Sequence, residues 1–411
     1  MNFEFFVAKR LISSKKYKSS ISAPIIKIAI AAIAIGVIMM LISFATGLGL
    51  QIKIREKIAA FNGHIEIMNY DNNSSQVSLV PVSLNQEFYP EFKNVKGVSH
   101  VQAVASKAGI IRTETDFEGV IVKGVGEDYK WENFEGFLVE GDLPDFSNDL
   151  NEEILISSYL ANRLGLGVGD KAITYFLREE ANKSPLLRVF VIKGIYNSGF
   201  QEFDELYLIS DIRHIQRLNN WEQDQVGNFE VFIEDFDQLD QIGGEIYENT
   251  DSLLDTQTIR QKFYSIFEWL SLFDFNIALI IGIMILVAGI NMITALLVLI
   301  LERTQMIGIL KALGDGNWSI RKIFLYNAGY LILLGLFWGN LIGLGLLFIQ
   351  KHFQLFPLNP ETYYVSNVPV FIGWEYILGV NVGTLILCLL MLLIPSVIIT
   401  KISPVKAMKF S

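Results

Sequence analysis

Four stretches of the chain, 28–50, 275–301, 323–349 and 376–400, are apolar from end to end, with almost no charge. Each holds about 20 residues or more, which at 1.5 Å per residue spans the ~30 Å hydrocarbon core of a bilayer, so each predicts a transmembrane helix. Past the first, Ile52, Ile54 and Ile58 are separated by Lys53, Arg55, Glu56 and Lys57, and the helix is expected to continue through 51–60 into water. Beyond it the period drops to two. Segments 64–68, 120–125, 189–195 and 206–209 alternate as strands, 151–164 reads as a strand passing into a short helix, and 209–218 has helical spacing with Ser210 as the expected N-cap. The aromatic-rich segment 263–273 predicts a helix leading back into the second span. The expected fold class is an α-helical membrane protein with four transmembrane helices plus a mixed α/β domain, 51–274, inserted between helices 1 and 2.

Charge gives the arrangement an orientation. Residues 1–27 carry Lys9, Arg10, Lys15, Lys16, Lys18 and Lys27; the connection 302–322 carries Arg303, Lys311, Arg321 and Lys322; the tail 401–411 carries Lys401, Lys406 and Lys409. The connection 350–375 has only Lys351. Basic loops stay on the cytoplasmic side, so both termini and the central connection are expected there, and 51–274 and 350–375 on the opposite side. Segment 51–270 holds 37 acidic against 19 basic residues, a net of −18, and the rest of the chain is +8. An acidic outer domain on a basic membrane base argues against nucleic acid as a partner. The first apolar run is too long for a signal-peptide core and is expected to remain as an uncleaved anchor. Residues 3–13 place Phe3, Phe6 and Val7 on one side with Lys9 and Arg10 able to meet lipid headgroups. That fits a short interfacial helix within 1–27, or equally an ordinary basic flank.

Reactive chemistry is sparse. The 411 residues are 51% hydrophobic, more apolar than an ordinary soluble enzyme, and Cys388 is the sole cysteine, inside the fourth span. His64, His100, His214 and His352 lack metal-ligand spacing, so no metal site is expected. The run Gly165-Leu166-Gly167-Val168-Gly169-Asp170 follows a helix and lacks the Lys-Ser/Thr ending of a phosphate loop, and is expected to be a turn. No catalytic set stands out from a solvated acidic surface, and the chain itself is expected to bind no cofactor.

The connection 302–322 is the most specific segment. Met306, Ile309, Leu310 and Leu313 fall at helical spacing with Arg303, Gln305 and Lys311 at the edges, and Gly314 is placed to end the helix in a left-handed cap. An amphipathic helix resting on lipid would look the same. The run Met306-Ile307-Gly308-Ile309-Leu310-Lys311-Ala312-Leu313-Gly314, followed by Ile320-Arg321-Lys322-Ile323-Phe324-Leu325, resembles the coupling-helix signature of MacB/FtsX-type ABC permeases. Two departures are Gln305, near where the family commonly has glutamate, and Asp315, where it has alanine. The ending Pro404-Val405-Lys406-Ala407-Met408-Lys409 resembles the family's tail. The stretch Leu358-Asn359-Pro360-Glu361-Thr362-Tyr363-Tyr364, running on to Pro369-Val370, is similar to the outer loop of the LolC/LolE-type lipoprotein-releasing branch, as are Phe6-Val7-Ala8-Lys9-Arg10 and Gly63-His64-Ile65-Glu66-Ile67.

The resemblance implies a permease of the bacterial inner membrane that works with a cytosolic ABC ATPase dimer and a second permease copy, identical or paralogous. ATP and Mg²⁺ would be bound by the ATPase, and the permease would not be an enzyme. Arg303, Met306, Ile309, Leu310, Lys311, Leu313 and Gly314 would form the ATPase-coupling surface. The cargo would be a lipoprotein, its acyl chains held in a cavity for which Met40, Phe44, Leu48, Phe267, Leu270 and Phe273 are candidates, or which pack between helices instead. A periplasmic lipoprotein chaperone would meet the hairpin near 175–188, through Phe176, Leu177, Pro185, Leu186 and Leu187, unless that is an ordinary hairpin loop. Alternatives are MacB-like export of a peptide or small amphiphile, and FtsX-like signalling to a periplasmic hydrolase.

Overall fold

The computed structural model describes residues 3–13, 22–73, 75–147, 150–178 and 184–402. Lys15, Lys16, Lys18, the hairpin residues 179–183 and the tail with Pro404 lie outside them. The chain forms two compact units, one built from the segments up to Gln51, Trp269–Pro357 and from Asn367 onward, the other from Ile52–Glu268 with Leu358–Ser366.

The first unit is helical. It holds the helices Asn317–Phe353 and Trp374–Ser396 and most of Ser22–Asn62 and Tyr264–Glu302, whose 52–62 and 264–268 ends belong to the second unit; all four are long and apolar enough to cross a membrane. Ser22–Asn62 and Tyr264–Glu302 have 41 and 39 residues. At 1.5 Å per residue that is about twice the bilayer core, because each helix continues beyond its apolar window, the first through 51–60 and the second from before 275, where the sequence predicts helical continuations. The spans pack through small residues. Gly335, Gly339 and Gly343, one turn apart on the third span, face Ile33, Val37 and Leu41, one turn apart on the first; a Cβ at Gly339 would stand 2.7 Å from that of Val37. Such close backbone approach supplies the packing that water drives in soluble cores. Asn340 and Asn381 join the third and fourth spans through reciprocal amide bonds of 2.6 and 3.0 Å, each amide also donating to the carbonyl four residues earlier. The short helix Phe3–Ser13 packs along the start of the third span, Phe5 meeting Tyr326 edge-on at 5.9 Å and Glu4 reaching Ser319 and Lys322.

The second unit is mixed α/β. Its strands are β1 (Ile65–Asn69), β2 (Val82–Ser83), β3 (Val98–Arg112), β4 (Phe117–Val125), β5 (Leu138–Gly141), β6 (Glu153–Ser157), β7 (Lys171–Phe176), β8 (Leu186–Tyr196), β9 (Tyr207–Asp211), β10 (Gln225–Val226), β11 (Asn228–Ile233) and β12 (Leu254–Thr258). Among the described residues the main sheet runs β12-β1-β11-β3-β4-β9-β6-β8-β5, and β7 pairs with both β3 and β8. The ring β3-β4-β9-β6-β8-β7 therefore closes on itself, with β4–β9 and β6–β8 parallel and the other pairs antiparallel. Closure explains why β4 and β6 read as apolar runs, since Val120–Val125 and Ile154–Ser157 are buried on successive positions. Helix Ser158–Leu164 is capped by the Ser157 hydroxyl and ends at Gly165 in the left-handed conformation, confirming a turn there. Helix Ile212–Asn219 starts one residue later than expected. Ser210 is in β9, and the Asp211 carboxylate accepts from Arg213 N as the cap. Gly124 is required beneath it, because a Cβ there would lie 2.6 Å from Ile212 Cα.

Candidate functional site: the connecting helix and the anchored helix end

Between the second and third spans the chain forms the helix Thr304–Ala312. Arg303 breaks it from the preceding span (φ −104°, ψ 19°), and the Thr304 hydroxyl caps Leu301 O at 2.6 Å. The end is a Schellman turn: Gly314 has φ +95°, its N–H bonds Lys311 O, and Asp315 N–H bonds Leu310 O. A glycine satisfies that backbone without strain. Gly316 then caps the third span, which begins at Asn317.

The apolar stripe read from the sequence splits into two faces. Ile307 is fully buried, and Met306 and Leu310 pack against the same core of membrane-helix residues, which includes Leu299, Ile320, Phe324 and Ile399. Ile309 and Leu313 face outward, 47% and 80% exposed, and Trp318 is exposed just beyond. Lys311 is also committed within the chain. Its ammonium donates to Ile399 O at 2.7 Å, Ile402 O at 2.9 Å and Thr400 O at 3.3 Å, and burial lowers its pKa. Arg321 Nε likewise donates to Ser396 O at 3.2 Å. Two cations thus satisfy carbonyls at the end of the fourth span and the short turn of helix after it. Lys311, Met306 and Leu310 therefore lie on the side of the helix that is tied to the spans. Arg303 is half-buried at the hinge, and the outward candidates are Ile309, Leu313 and Gly314.

The other candidate residues divide similarly. The hairpin exists, with Phe176 opposite Leu186 at its base, and Leu177, Pro185 and Leu187 are exposed while Leu186 is half-buried. Phe176 is sealed inside, against the position where Gly109 lacks a side chain, so it offers no contact surface. Met40 lies in the packed core of the spans, Leu270 is buried with its carbonyl accepting from Gln51, and Phe267 is stacked on Phe236 at 5.9 Å. Phe44, Leu48 and Phe273 are half-buried, with Phe44 against Tyr376 and Phe273 edge-on to Trp269.

Sequence reading missed the way the first long helix ends in the α/β unit. Lys123 of β4 and Glu230 of β11, 2% and 3% exposed, pair at 2.6 Å, and the lysine also donates to Phe61 O, the helix's penultimate carbonyl. Gln102 donates to the other oxygen of Glu230 at 2.8 Å. Beside them Lys262 bridges Glu66 at 2.7 Å and the Asn62 side chain at 3.1 Å, and Tyr129 donates to Ala60 O. Burial raises the Glu230 pKa against the opposing pull of Lys123, and raises that of Tyr129 far above its usual range. The helix end is thereby held by charge and hydrogen bonds that the sheet seals from water. The available signal was a lysine inside an otherwise apolar strand pattern, Val120–Val125.

The loop Leu358–Ser366 also belongs to the α/β unit. Tyr364, held at φ +58°, stacks on Phe200 with centroids 4.5 Å apart, and its carbonyl accepts from Lys57 Nζ at 3.0 Å. Burial lowers the Lys57 pKa to about 8 despite nearby Asp204. Tyrosine at this point of the loop is thus a docking residue. Among the described residues no group of His, Cys, Asp and Glu could hold a metal ion.

The MacB-like periplasmic core domain family matches residues 28–248, just over half of the chain, and the FtsX-like permease C-terminal family matches 278–404. The lipoprotein-releasing system transmembrane protein LolC of Neisseria meningitidis is 22% identical over 100% of this chain and 99% of its own length. LolE of Haemophilus influenzae is 23% identical over 99% of each. LolC of Haemophilus influenzae is 25% identical, but the match spans 63% of this chain and 64% of that protein. The extracellular domain of the noncanonic ABC-type transporter YknZ from Gram-positive bacteria aligns over 47% of this chain and 99% of its own at 16% identity, with a TM-score of 0.32.

Proposed function

The chain belongs to the MacB/FtsX-like permeases, of the LolC/LolE type, and on that premise we propose that it is the membrane subunit of a lipoprotein-releasing ABC transporter. It lifts lipoproteins from the inner membrane and passes them to a periplasmic chaperone. A separate ATPase dimer binds ATP and Mg²⁺, and a second permease copy, identical or paralogous, completes the membrane part. Both termini and the Thr304–Ala312 helix are cytoplasmic, and the α/β unit is periplasmic.

The observation that carries this reading is the two-faced connecting helix. Ile309 and Leu313 point away from the chain, while Ile307 and Lys311 tie the same helix to the spans. In the proposed mechanism the ATPase grips the outer face, and its closure around ATP displaces a helix that cannot move without its membrane core. The α/β unit follows through the first long helix, whose end is held by Lys123, Glu230 and Lys262. The cargo's difficulty is hydrophobic. At about 0.8 kcal/mol per buried methylene, three acyl chains hold on the order of 30 kcal/mol, so release requires an apolar cavity and a receiving chaperone. Phe44, Leu48 and Phe273 are the cavity residues this reading retains, and Leu177, Pro185, Leu186 and Leu187 the chaperone-contact residues. The match to the MacB-like core family favours one second reading, export of a peptide or small amphiphile.

The test is to isolate the chain with its co-expressed ATPase without nucleotide. Triacylated lipoprotein in the complex, lost on adding ATP, is the expected result. A stable ATPase complex free of lipoprotein would favour export or signalling, and failure to bind an ATPase would end the ABC-permease reading.

A further inference from the structure

The short helix Gln201–Leu206 carries the middle of a column of aromatic rings. Tyr364 stacks on Phe200, Phe200 on Phe203, and Phe203 on Phe61, with centroids 4.5, 4.6 and 4.6 Å apart and planes within 21° of parallel. Phe263 stands edge-on to Phe203 at 5.8 Å. Phe61, Phe200 and Phe203 are buried, and Tyr364, half-buried, closes one end. The rings around Phe200 and Phe203 come from three separate passages between the α/β unit and the membrane-spanning helices. Phe61 is the penultimate residue of Ser22–Asn62, Phe263 immediately precedes Tyr264–Glu302, and Tyr364 lies in the connection between Asn317–Phe353 and Trp374–Ser396. All three passages therefore meet on Phe203 and on Phe200, the N-cap residue of its helix.

Polar contacts hold the same points. Phe203 N and Asp204 N both donate to Phe200 O at 3.0 Å, fixing the two rings on one turn. The Asp204 carboxylate accepts from the Ser198 hydroxyl at 2.7 Å and from Gly199 N at 3.0 Å. It also attracts Lys57 of the first long helix, whose ammonium donates to Tyr364 O. The short helix then runs directly into β9, which pairs with β4 and β6 in the closed ring of strands. Tyr364 shows that this arrangement is imposed. Its φ of +58° is one that a bulky residue rarely adopts, and such a conformation persists only where the surroundings over-determine it. Here those surroundings include the Phe200 ring and Lys57, whereas the neighbouring Tyr363 is exposed.

We propose that Phe203 and Tyr364 are positioning residues for transport, a role that rests on the ABC-permease reading above. The column fixes the three passages to one turn of helix, so movement of the spans reaches β9 and the strands beside it as a single displacement of Gln201–Leu206. Close-packed rings pass a displacement on rather than absorb it. Without the Tyr364 ring the connection 350–375 moves by itself, and part of each cycle's movement is spent in the loop.

Phe203 is too deeply buried to substitute without risk to the fold, so the test falls on Tyr364. Tyr364→Asn removes the ring but keeps a residue that accepts left-handed backbone, and Tyr364→Phe keeps the ring. In the full complex with its ATPase, reconstituted in liposomes, Tyr364→Asn should lower the lipoprotein transferred per ATP hydrolysed by about tenfold, with lipoprotein still bound. Tyr364→Phe and the exposed-site control Tyr363→Ala should match the unaltered protein. A second readout needs no cargo. Nucleotide binding to the ATPase should change amide hydrogen exchange across 200–206 in the unaltered chain and in Tyr364→Phe, and not in Tyr364→Asn. Undiminished coupling in Tyr364→Asn, equal loss in Tyr364→Phe, or no exchange response in the unaltered complex would overturn the proposal. An unaltered complex that responds in exchange but transfers no lipoprotein would sink the lipoprotein-release reading and leave the column standing.

Discussion

Lys123 occupies a strand position whose neighbours Val120, Val122 and Val125 are buried valines, and its ammonium is matched by Glu230 and the Phe61 carbonyl. Such a pair contributes little over a well-packed apolar replacement, but removing one partner strands the other charge. Lys123→Met alone should therefore destabilise the fold by about 3–5 kcal/mol, and adding Glu230→Leu should restore much of it, as a double-mutant cycle of chemical unfolding would measure. His64 gives a second residue-scale expectation. Its Nδ1 accepts from Ile233 N at 3.1 Å between the rings of Phe232 and Phe236, and burial lowers its pKa to about 4. The folded protein holds His64 neutral, whereas the unfolded chain binds a proton below about pH 6.5. Its contribution is complete above pH 6.5 and is lost as pH falls toward 4, by at most about 3 kcal/mol. His64→Gln should flatten that part of the stability–pH profile between pH 6.5 and 4; an unchanged slope would show that other groups govern it.

At the scale of elements, the connecting helix and the glycine ridge make separable predictions. Ile307→Ala empties a fully buried site and should cost about 2–5 kcal/mol of stability, whereas Leu313→Asp, on an 80% exposed position, should leave the melting temperature nearly unchanged and abolish ATPase association. Gly339→Leu should collapse expression of folded protein, because its Cβ meets Val37 and Ala34 O. Gly345→Leu, with open space at its Cβ, should not. Monodisperse yield and thermal stability in detergent distinguish the two. The spans and the helix Thr304–Ala312 were legible because length and period announce them. Which apolar side of that helix faces inward was not, because Met306, Leu310, Ile309 and Leu313 are alike in hydrophobicity and only tertiary packing sorts them. The 15-residue β3 also escaped notice. Its Gln102 and Lys107 break the alternation, and their side chains are satisfied by Glu230 and the Lys130 N–H, and by Asn219, respectively, partners far away in sequence. The N-cap at Asp211 rather than Ser210 is a smaller instance: both residues can cap, and β9 runs through Asp211, paired with Val125, before the helix begins.

At the scale of the whole molecule, the acidic α/β segment and the basic remainder, −18 and +8, separate the chain electrostatically as its helices separate it by solvent. The described residues offer no metal-binding cluster, and the interactions that dominate are positional: a helix end held by buried charge, a loop docked by Tyr364 and a connecting helix clipped by Lys311. In the proposed function these are the contacts through which the ATPase's motion would pass. The most direct measurement reconstitutes the full complex in liposomes loaded with a triacylated lipoprotein and follows its appearance on a soluble chaperone as ATP is added. The account predicts transfer that requires ATP and is lost in Leu313→Asp while the lipoprotein stays bound. Transfer that proceeds without ATP, or that Leu313→Asp leaves intact, would contradict it.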